Sequence, residues 1–283
     1  MKLLSWNVQW FRGVDGVVDV DRVIRHARNL CDFDVLCLQE VSAHLRGLAG
    51  GGDADQAAAV ARLLPGYEVI FAPCVDYRNA DAAPRERFGN LVATRLPALL
   101  VEHHPLPFVR EAGRDSVRRV CTSVLVQARS GPVTVMNTHL EYSSAAQRAL
   151  QVQRILDIHR ENADLACSDL SGQPVAGLYQ SRPRTARTVL CGDFNFDAGS
   201  SEHLSLQRGQ GEQALCDVYA LVHGPGARPP TFGVYDRTYV KQPIACDHIL
   251  ASRDVAGLTR QVGVDGETQY SDHQPVYAEW EGL

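Results

Sequence analysis

Short apolar runs recur along most of the chain, separated by polar or turn-forming segments. Some runs alternate polar and apolar residues, as a strand with one buried face does, and others are continuously apolar, as in a strand buried on both faces. They are rich in valine, isoleucine, leucine and threonine, which favours strands. The predicted strands lie in KLLSWN, DVLCLQE, YEVIFAP, NLVATR, RVCTSVLVQA, PVTVMNTHL, TVLCGDFN, CDHILAS and QPVYAEWE.

Several segments between these runs have the apolar spacing of helices. The first follows Asp19, a residue type that caps helix N-termini, and a long one follows Ser143 or Ser144. Shorter helices are predicted over 57–64 and 214–222, and polar loops over 49–55 and 169–187. Strands mixed with helices, without repeats or a long linker, predict an α/β or α+β sandwich that forms one domain over 1–283.

Composition narrows the class of protein. The chain has 283 residues, of which 45% are hydrophobic and 22% charged, as in an ordinary globular protein. A protein that grips long nucleic acid usually has a basic surface, and the net charge of -5 shows no such excess. The charge therefore favours a short or small substrate, although it leaves a local basic patch open.

The cysteines and the N-terminus bear on location. Cys37, Cys121 and Cys191 lie within apolar runs, where a thiol behaves as a small core residue, and none of the eight cysteines forms a CxxC pair. The N-terminal segment MKLLSWNVQW turns polar too soon for a signal peptide or a membrane span. We therefore expect reduced thiols and a cytoplasmic protein.

Polar side chains recur where the strand-like runs begin or end. If the strand persists beyond Asp193, its period of two would point Asp193 and Asn195 the same way. Carboxylate and amide oxygens suit Mg²⁺ or Mn²⁺, and the chain lacks HExxH, GxSxG and P-loop motifs. Such a set can activate water and neutralise an oxyanion, as phosphate ester cleavage requires. The candidate site residues are Asn7, Glu40, His139, Asp193, Asn195, Asp247, Asp272 and His273.

These residues belong to motifs that resemble the endonuclease/exonuclease/phosphatase (DNase I-like) superfamily, in particular its bacterial members. The motifs appear in family order and span nearly the whole chain. They are LLSWNVQW, DVLCLQEV, FGNLVATRLP, MNTHLEY, LCGDFNFD, ACDHILAS and SDHQPV. The resemblance implies a four-layer α/β/β/α sandwich, in which two packed mixed sheets are flanked by helices and the active site lies at one end.

The resemblance also implies a metal site and a cofactor. Asn7 and Glu40 would position one Mg²⁺ or Mn²⁺ ion, with Glu40 as its principal ligand. Asp272 would bind the same ion or a second one.

The same family pattern assigns the catalytic groups. Asp193 would orient or deprotonate the attacking water, and Asn195 would hydrogen-bond the nucleophile or the phosphate. His139 and His273 would contact phosphate oxygens, and Asp247 would orient His273 and favour its charged form.

Residues near the motifs are weaker candidates. Asn90 and Tyr142 are predicted substrate contacts, whereas Trp6 and Trp10 are expected to pack as core aromatics. Arg118, Arg119 and Tyr235 are plausible substrate contacts because of nearby motifs, but a structural or surface role is preferred for each. Packing or solvated roles are expected for His103 and His104, and a packing or supporting role for His248.

The resulting hypothesis is a metal-dependent phosphodiesterase that acts, like a nuclease, on nucleic acid or a nucleotide-like compound. A phosphomonoesterase, a sphingomyelinase-like phospholipase C and a non-catalytic binding protein on the same fold are the alternatives. No obligate protein partner is evident from the sequence, and specificity is expected to reside in the loops.

Overall fold

Two mixed sheets form the centre of the protein in a computed structural model, which describes residues 1–51, 54–78, 84–168, 177, 182–209, 211, 214–226 and 228–283. Each sheet has six strands within these residues. The first comprises β1 (Lys2–Asn7), β2 (Val35–Ala43), β3 (Glu68–Tyr77), β4 (Glu86–Thr94), β11 (Thr259–Val264) and β12 (Val276–Trp280), in the order β11-β12-β1-β2-β4-β3. The second comprises β5 (Ala98–Pro105), β6 (Val120–Ala128), β7 (Gly131–His139), β8 (Thr188–Asp193), β9 (Leu215–Asp217) and β10 (Asp247–Ser252), in the order β5-β6-β7-β8-β10-β9.

Helices connect the strands. The caps predicted at Asp19 and Ser144 are confirmed, since each side chain accepts a hydrogen bond from a backbone N–H of the first turn. The helices are α1 (Val20–Leu30), α2 (Gln56–Leu63), α3 (Ala145–Cys167), α4 (Ser201–Leu206), α5 (Val218–His223) and α6 (Arg253–Ala256).

The helix predicted over 214–222 is wrong in its first half. Residues Leu215–Asp217 form β9, which pairs with β10 at the edge of the second sheet. Asp217 then caps α5 by accepting from the backbone N–H groups of Tyr219 and Ala220. Sheet pairing outweighs the local apolar spacing here.

Three apolar clusters define the layers. Alternate residues of β1 show the arrangement, because Leu3 faces the cluster between the sheets and Leu4 faces the cluster under α1 and α2. The third cluster packs Ile155 of α3 against Leu190 of the second sheet. Helices thus cover the outer face of each sheet, and the predicted α/β/β/α sandwich is confirmed.

Two further findings concern the helices and the cysteines. No helix in the described part of the chain is long and apolar enough to cross a membrane. All eight cysteines lie within the described residues and are free thiols.

Candidate active site

The predicted residues meet at one rim of the two sheets. In the second sheet, His139 ends β7 and pairs with Asp193 at the end of β8, which in turn pairs with Asp247 at the start of β10. In the first sheet, Asn7 ends β1. The Asn7 Nδ2 amide crosses between the sheets and donates to Asp193 Oδ2 at 2.9 Å.

A bulge in β2 aims Glu40 at this rim. The pairing of β2 with β4 shifts between Leu38 and Val41, and Glu40 has a φ of 60°. A bulge re-aims the side chain it carries, at a backbone cost of about 1–3 kcal/mol for a non-glycine residue. Asn137 braces the bulge by donating to the carbonyl of Leu38 at 3.1 Å. Asn7 Nδ2 also donates to Glu40 Oε1, at 3.2 Å.

Two histidines flank Asp193 in different charge states. His139 Nε2 lies 3.3 Å and His273 Nε2 lies 3.6 Å from Asp193 Oδ2. Burial and the guanidinium of Arg119 lower the pKa of His139 to about 3, so that this ring is neutral. Burial opposes the charged form of His273, but the Asp247 and Asp193 carboxylates outweigh burial and raise the pKa of His273 well above its ordinary value. His273 is therefore cationic at neutral pH, with its Nδ1 2.9 Å from Asp247 Oδ2.

Asn195 reaches the rim by a turn, not by strand alternation. Strand β8 ends at Asp193, and Asn195 follows with a φ of 54°. Its backbone N–H donates to Asp193 Oδ1 at 2.9 Å, and its side-chain amide donates to the carbonyl of Leu140 at 3.0 Å. The turn therefore holds the side chains of both Asp193 and Asn195 in place through these two hydrogen bonds.

The oxygen ligands suit a divalent cation. Burial and the neighbouring Asp272 carboxylate raise the pKa of Glu40 to about 7. Burial also raises the pKa of Asp272, whose Oδ2 accepts from Gln9 Nε2 at 2.8 Å. Carboxylates that are forced together in this way are relieved by a cation, and hard oxygen donors suit Mg²⁺ or Mn²⁺.

A second group of possible ligands suits a cation less well. One ligand atom each from Asp193, Cys246 and His273 lie within 4.8 Å of one another. Burial raises the pKa of the Cys246 thiol well above its ordinary value, and His273 is cationic. A neutral thiol and an imidazolium are poor ligands, so the carboxylates of Glu40 and Asp272 are the better candidates. The predicted ligand Asn7 turns its Nδ2 amide to Glu40, while its Oδ1 accepts from the Gln9 backbone N–H at 3.1 Å.

These groups open into a cavity of about 500 Å³. Asn7 and Asp247 lie behind its wall, whereas the other predicted site residues form it together with Tyr142. The polar lining consists of Gln9, Glu40, Arg119, His139, Asp193, Asn195, Asp272 and His273. The remaining lining consists of Trp10, Phe88, Val117, Tyr142, Phe232, Tyr239, Val240 and Ile244.

Arg119 is a cavity residue for which a structural or surface role was expected. Its side chain precedes β6 and is only 6% exposed, yet within the described residues no hydrogen bond or ion pair engages its guanidinium. This position fits a substrate contact, the alternative to the preferred role, and the apolar run after Arg119 does not show what the side chain faces. Asn90, a predicted substrate contact, does not line the cavity and instead donates to the carbonyl of Val120, which holds the start of β6 beside Arg119.

Gln9 and Phe232 were not identified from the sequence. Gln9 holds Asp272, and its place two residues after Asn7 in the same motif is the only signal that could have found it. The Phe232 ring stacks on His273 with centroids 4.4 Å apart. No motif surrounds Phe232, so its role depends on a fold contact that the sequence does not show.

The tryptophans and tyrosines near the motifs lie in different environments. Trp6 is fully buried, as expected, and its indole N–H donates to the carbonyl of His273 at 2.9 Å. Trp10 lines the cavity, and its indole N–H donates to the carbonyl of Ala49, so its ring is not enclosed by the core as that of Trp6 is. Tyr142 is 53% exposed at the rim, and the Tyr235 hydroxyl donates to the carbonyl of Gly266 away from the cavity lining.

The remaining weaker candidates lie outside the cavity. Arg118 stacks over Phe108, and His103 contacts Thr122. His248 is buried against the carbonyl of Phe196. Most of the predicted loop over 169–187 falls outside the described residues.

Comparisons with known proteins concern the family and the fold. The family model described as Endonuclease/Exonuclease/phosphatase family matches residues 4–273. An endonuclease/exonuclease/phosphatase from Beutenbergia cavernae is 24% identical, with a TM-score of 0.69 over 98% of this chain and 70% of that one. The search of curated proteins gave no match.

Two other solved structures have names that specify an activity. A mannosyl-6-phosphatase from Bacteroides thetaiotaomicron is 20% identical, with a TM-score of 0.65 over 99% of this chain and 98% of that one. A 3' phosphatase from Neisseria, solved with a product DNA hairpin, is 21% identical, with a TM-score of 0.58 over 99% of both chains. At these identities the likeness concerns the fold.

Proposed function

The chain belongs to the endonuclease/exonuclease/phosphatase family of phosphate ester hydrolases, and we propose that it cleaves a phosphodiester in nucleic acid or a nucleotide-like compound with the help of a divalent cation. The observation that carries the proposal is the composition of one cavity wall. A crowded carboxylate pair, a carboxylate between two histidines and a guanidinium that has no partner among the described residues all face the same space.

Each group has a role in attack by water on phosphorus. Asp193 is held by Asn7 and by the Asn195 backbone, so that it can orient the water and accept its proton. The His273 cation, braced by Asp247, faces the phosphoryl oxygens and stabilises the charge that develops on them. Neutral His139 contacts the phosphate as a hydrogen-bond donor.

Glu40 and Asp272, supported by Asn7 and Gln9, are the residues that would hold the cation. A divalent ion bound there supplies charge neutralisation at the phosphate and a lower pKa for bound water. The oxygen ligands favour Mg²⁺ or Mn²⁺.

A phosphomonoesterase is the second candidate. The position of the Arg119 guanidinium in the cavity wall favours it. The cavity holds two cations, Arg119 and His273, in addition to any metal ion. A terminal phosphate carries more negative charge than a diester and would pair with both of these cations. The aromatic and apolar wall favours the diester, because it offers surface to a substituent beyond the phosphate.

The test is turnover of bis-p-nitrophenyl phosphate, p-nitrophenyl phosphate, labelled oligonucleotides and sugar phosphates with Mg²⁺ or Mn²⁺. We expect turnover that EDTA abolishes and that is faster for diesters than for monoesters. Faster turnover of the monoesters would replace the first candidate by the second. If no phosphate ester were hydrolysed with either ion, both would be refuted.

A further inference from the structure

A second cavity of about 350 Å³ lies beside the catalytic one. Trp10 and Tyr239 line both cavities. The second is otherwise formed by Arg12, Asp236, Thr238 and the segment 47–49. A ligand that is bound at the catalytic groups can therefore extend past these two aromatic rings.

An unusual turn fixes Trp10 at this boundary. Gln9, Trp10 and Phe11 are consecutive non-glycine residues with φ of 43°, 45° and 61°, all in the left-handed region. The Trp10 indole N–H donates to the carbonyl of Ala49 at 2.9 Å, and Gln56 donates to the carbonyl of Trp10 at 2.8 Å. Strained backbone persists where its surroundings hold it, and such segments concentrate at functional sites.

The two rings are available for stacking. Tyr239 is 71% exposed. Within the described residues neither Trp10 nor Tyr239 packs against another aromatic ring. A flat group lying between them would bury apolar surface on both of its faces.

The rest of the second cavity is polar. Within the described residues, the Arg12 guanidinium makes no hydrogen bond or ion pair, and its Nε is buried without a partner. Asp236 Oδ1 accepts from the backbone N–H and hydroxyl of Thr238 at 2.9 and 2.6 Å, which holds the carboxylate at the cavity. A donor and an acceptor thus lie beside two aromatic rings, which suits a flat ring with polar edges and hydroxyl groups better than an acyl chain.

We propose that this second cavity binds a nucleoside unit attached to the scissile phosphate. Its base stacks on Trp10 and Tyr239, while Arg12 and Asp236 bind the polar edges of the base or the sugar hydroxyls. The inference rests on the proposed phosphodiesterase function and specifies its substrate class. Stacking is tolerant of base identity, so this cavity would select for a nucleoside without selecting a sequence.

Tryptophan fluorescence provides a direct test. Trp6 and Trp280 are no more than 1% exposed, which leaves Trp10 as the tryptophan that a ligand can reach. The Asp193→Asn protein, which should turn over substrate about 10³-fold more slowly than the wild type, is titrated with a thymidine dinucleotide, and separately with inorganic phosphate and mannose 6-phosphate. We expect quenching by the dinucleotide only, and none in a Trp10→Phe background.

Tyr239→Ala should raise the Kd of the dinucleotide about tenfold or more, as expected for the loss of one base–aromatic stack. Tyr235→Ala is the matched control, because Tyr235 is an exposed tyrosine four residues away that lines neither cavity, and its Kd should not change. Equal Kd values for the two variants would overturn the inference, as would quenching by mannose 6-phosphate without quenching by the dinucleotide.

Turnover of bis-p-nitrophenyl phosphate by the wild-type protein separates the two claims. If the ester is hydrolysed but the dinucleotide does not quench the Trp10 fluorescence and its Kd does not change in Tyr239→Ala, the proposed nucleoside site is wrong and the proposed hydrolase activity stands. If the dinucleotide binds as described but no ester is hydrolysed, the proposed function fails and the binding site stands.

Discussion

Two buried aspartate–histidine clusters lie in the described part of this protein, and they use the same residue types differently. In the catalytic cluster, His273 Nδ1 lies 2.9 Å from Asp247, and in the other, His203 Nε2 lies 2.9 Å from Asp217. The second cluster is closed by Arg228, which bonds to Asp217 and to His248 Nδ1. We call the catalytic cluster, which contains Asp193, Asp247 and His273, the open cluster. We call the cluster of His203, Asp217, Arg228 and His248 the closed cluster.

The clusters differ in how their charges are paired. In the closed cluster, Arg228 neutralises Asp217, and the His248 ring completes its hydrogen bonds at the carbonyl of Phe196. The open cluster brings together Glu40, Asp193, Asp247 and Asp272, against one charged histidine and an Arg119 without an ion-pair partner among the described residues. A buried charge with a partner is costly to expose by removing that partner, whereas buried charges without one mark where a cation and a phosphate are expected to bind.

Asp193→Asn should break the open cluster with the largest effect. The amide cannot accept the proton of the attacking water, so kcat should fall about 10³-fold, within the usual range for a lost general base. The rate of diester hydrolysis with Mn²⁺ measures this. A loss of less than tenfold, in a protein shown to be folded by circular dichroism, would remove Asp193 from the proton transfer.

Asp217→Asn should break the closed cluster and leave the chemistry intact. It leaves the buried Arg228 charge unpaired, which typically costs about 3–5 kcal/mol of unfolding free energy. Urea denaturation measures that loss, and kcat of the remaining folded protein should stay within about twofold of wild type. A stable variant that has lost its activity would reverse the roles given to the two clusters.

Arg119→Gln should have a smaller effect, on substrate binding. The loss of a charge-assisted hydrogen bond to phosphate is worth about 1.5–3 kcal/mol, so KM should rise roughly 10- to 100-fold with a smaller change in kcat. Arg118→Gln is the matched control, because the Arg118 guanidinium stacks over Phe108 and does not line the cavity. Similar KM values for both variants would show that Arg119 does not bind the phosphate.

The smallest effect is a pH dependence of stability from the closed cluster. Burial, with Arg228 and His203, lowers the pKa of His248 to about 3, while the ordinary value of 6.5 applies in the unfolded chain. The unfolded state therefore binds the proton first, and stability is lost as pH falls below 6.5. This group alone accounts for about 2 kcal/mol between pH 7.5 and 5.

His248→Gln isolates that contribution. Its amide can donate to the carbonyl of Phe196, but it does not titrate. Urea midpoints at pH 7.5 and pH 5 should therefore differ less in the variant than in the wild type. An unchanged difference would assign the pH dependence to other groups.

The layers and the rim were predictable from local patterns, since β1 alternates inward and outward residues and polar groups follow the apolar runs. The direction in which side chains point beyond the strand ends was not predictable from these patterns. Glu40 and Asn195 reach the rim through left-handed backbone, which a pattern of period two does not predict. A structural or surface role was preferred for Arg119 and a packing role for Trp10, whereas both line the cavity, because the space that a side chain faces depends on long-range contacts.

The most direct test of the contrast between the clusters is calorimetric titration of Mn²⁺ into the wild type, Glu40→Gln and Asp217→Asn. If the surplus carboxylates of the open cluster hold a cation, the wild type and Asp217→Asn bind Mn²⁺ with similar affinity, and Glu40→Gln binds it at least about tenfold more weakly while remaining folded. Binding by Glu40→Gln that equals the wild type, or no Mn²⁺ binding by the wild type, would contradict the account.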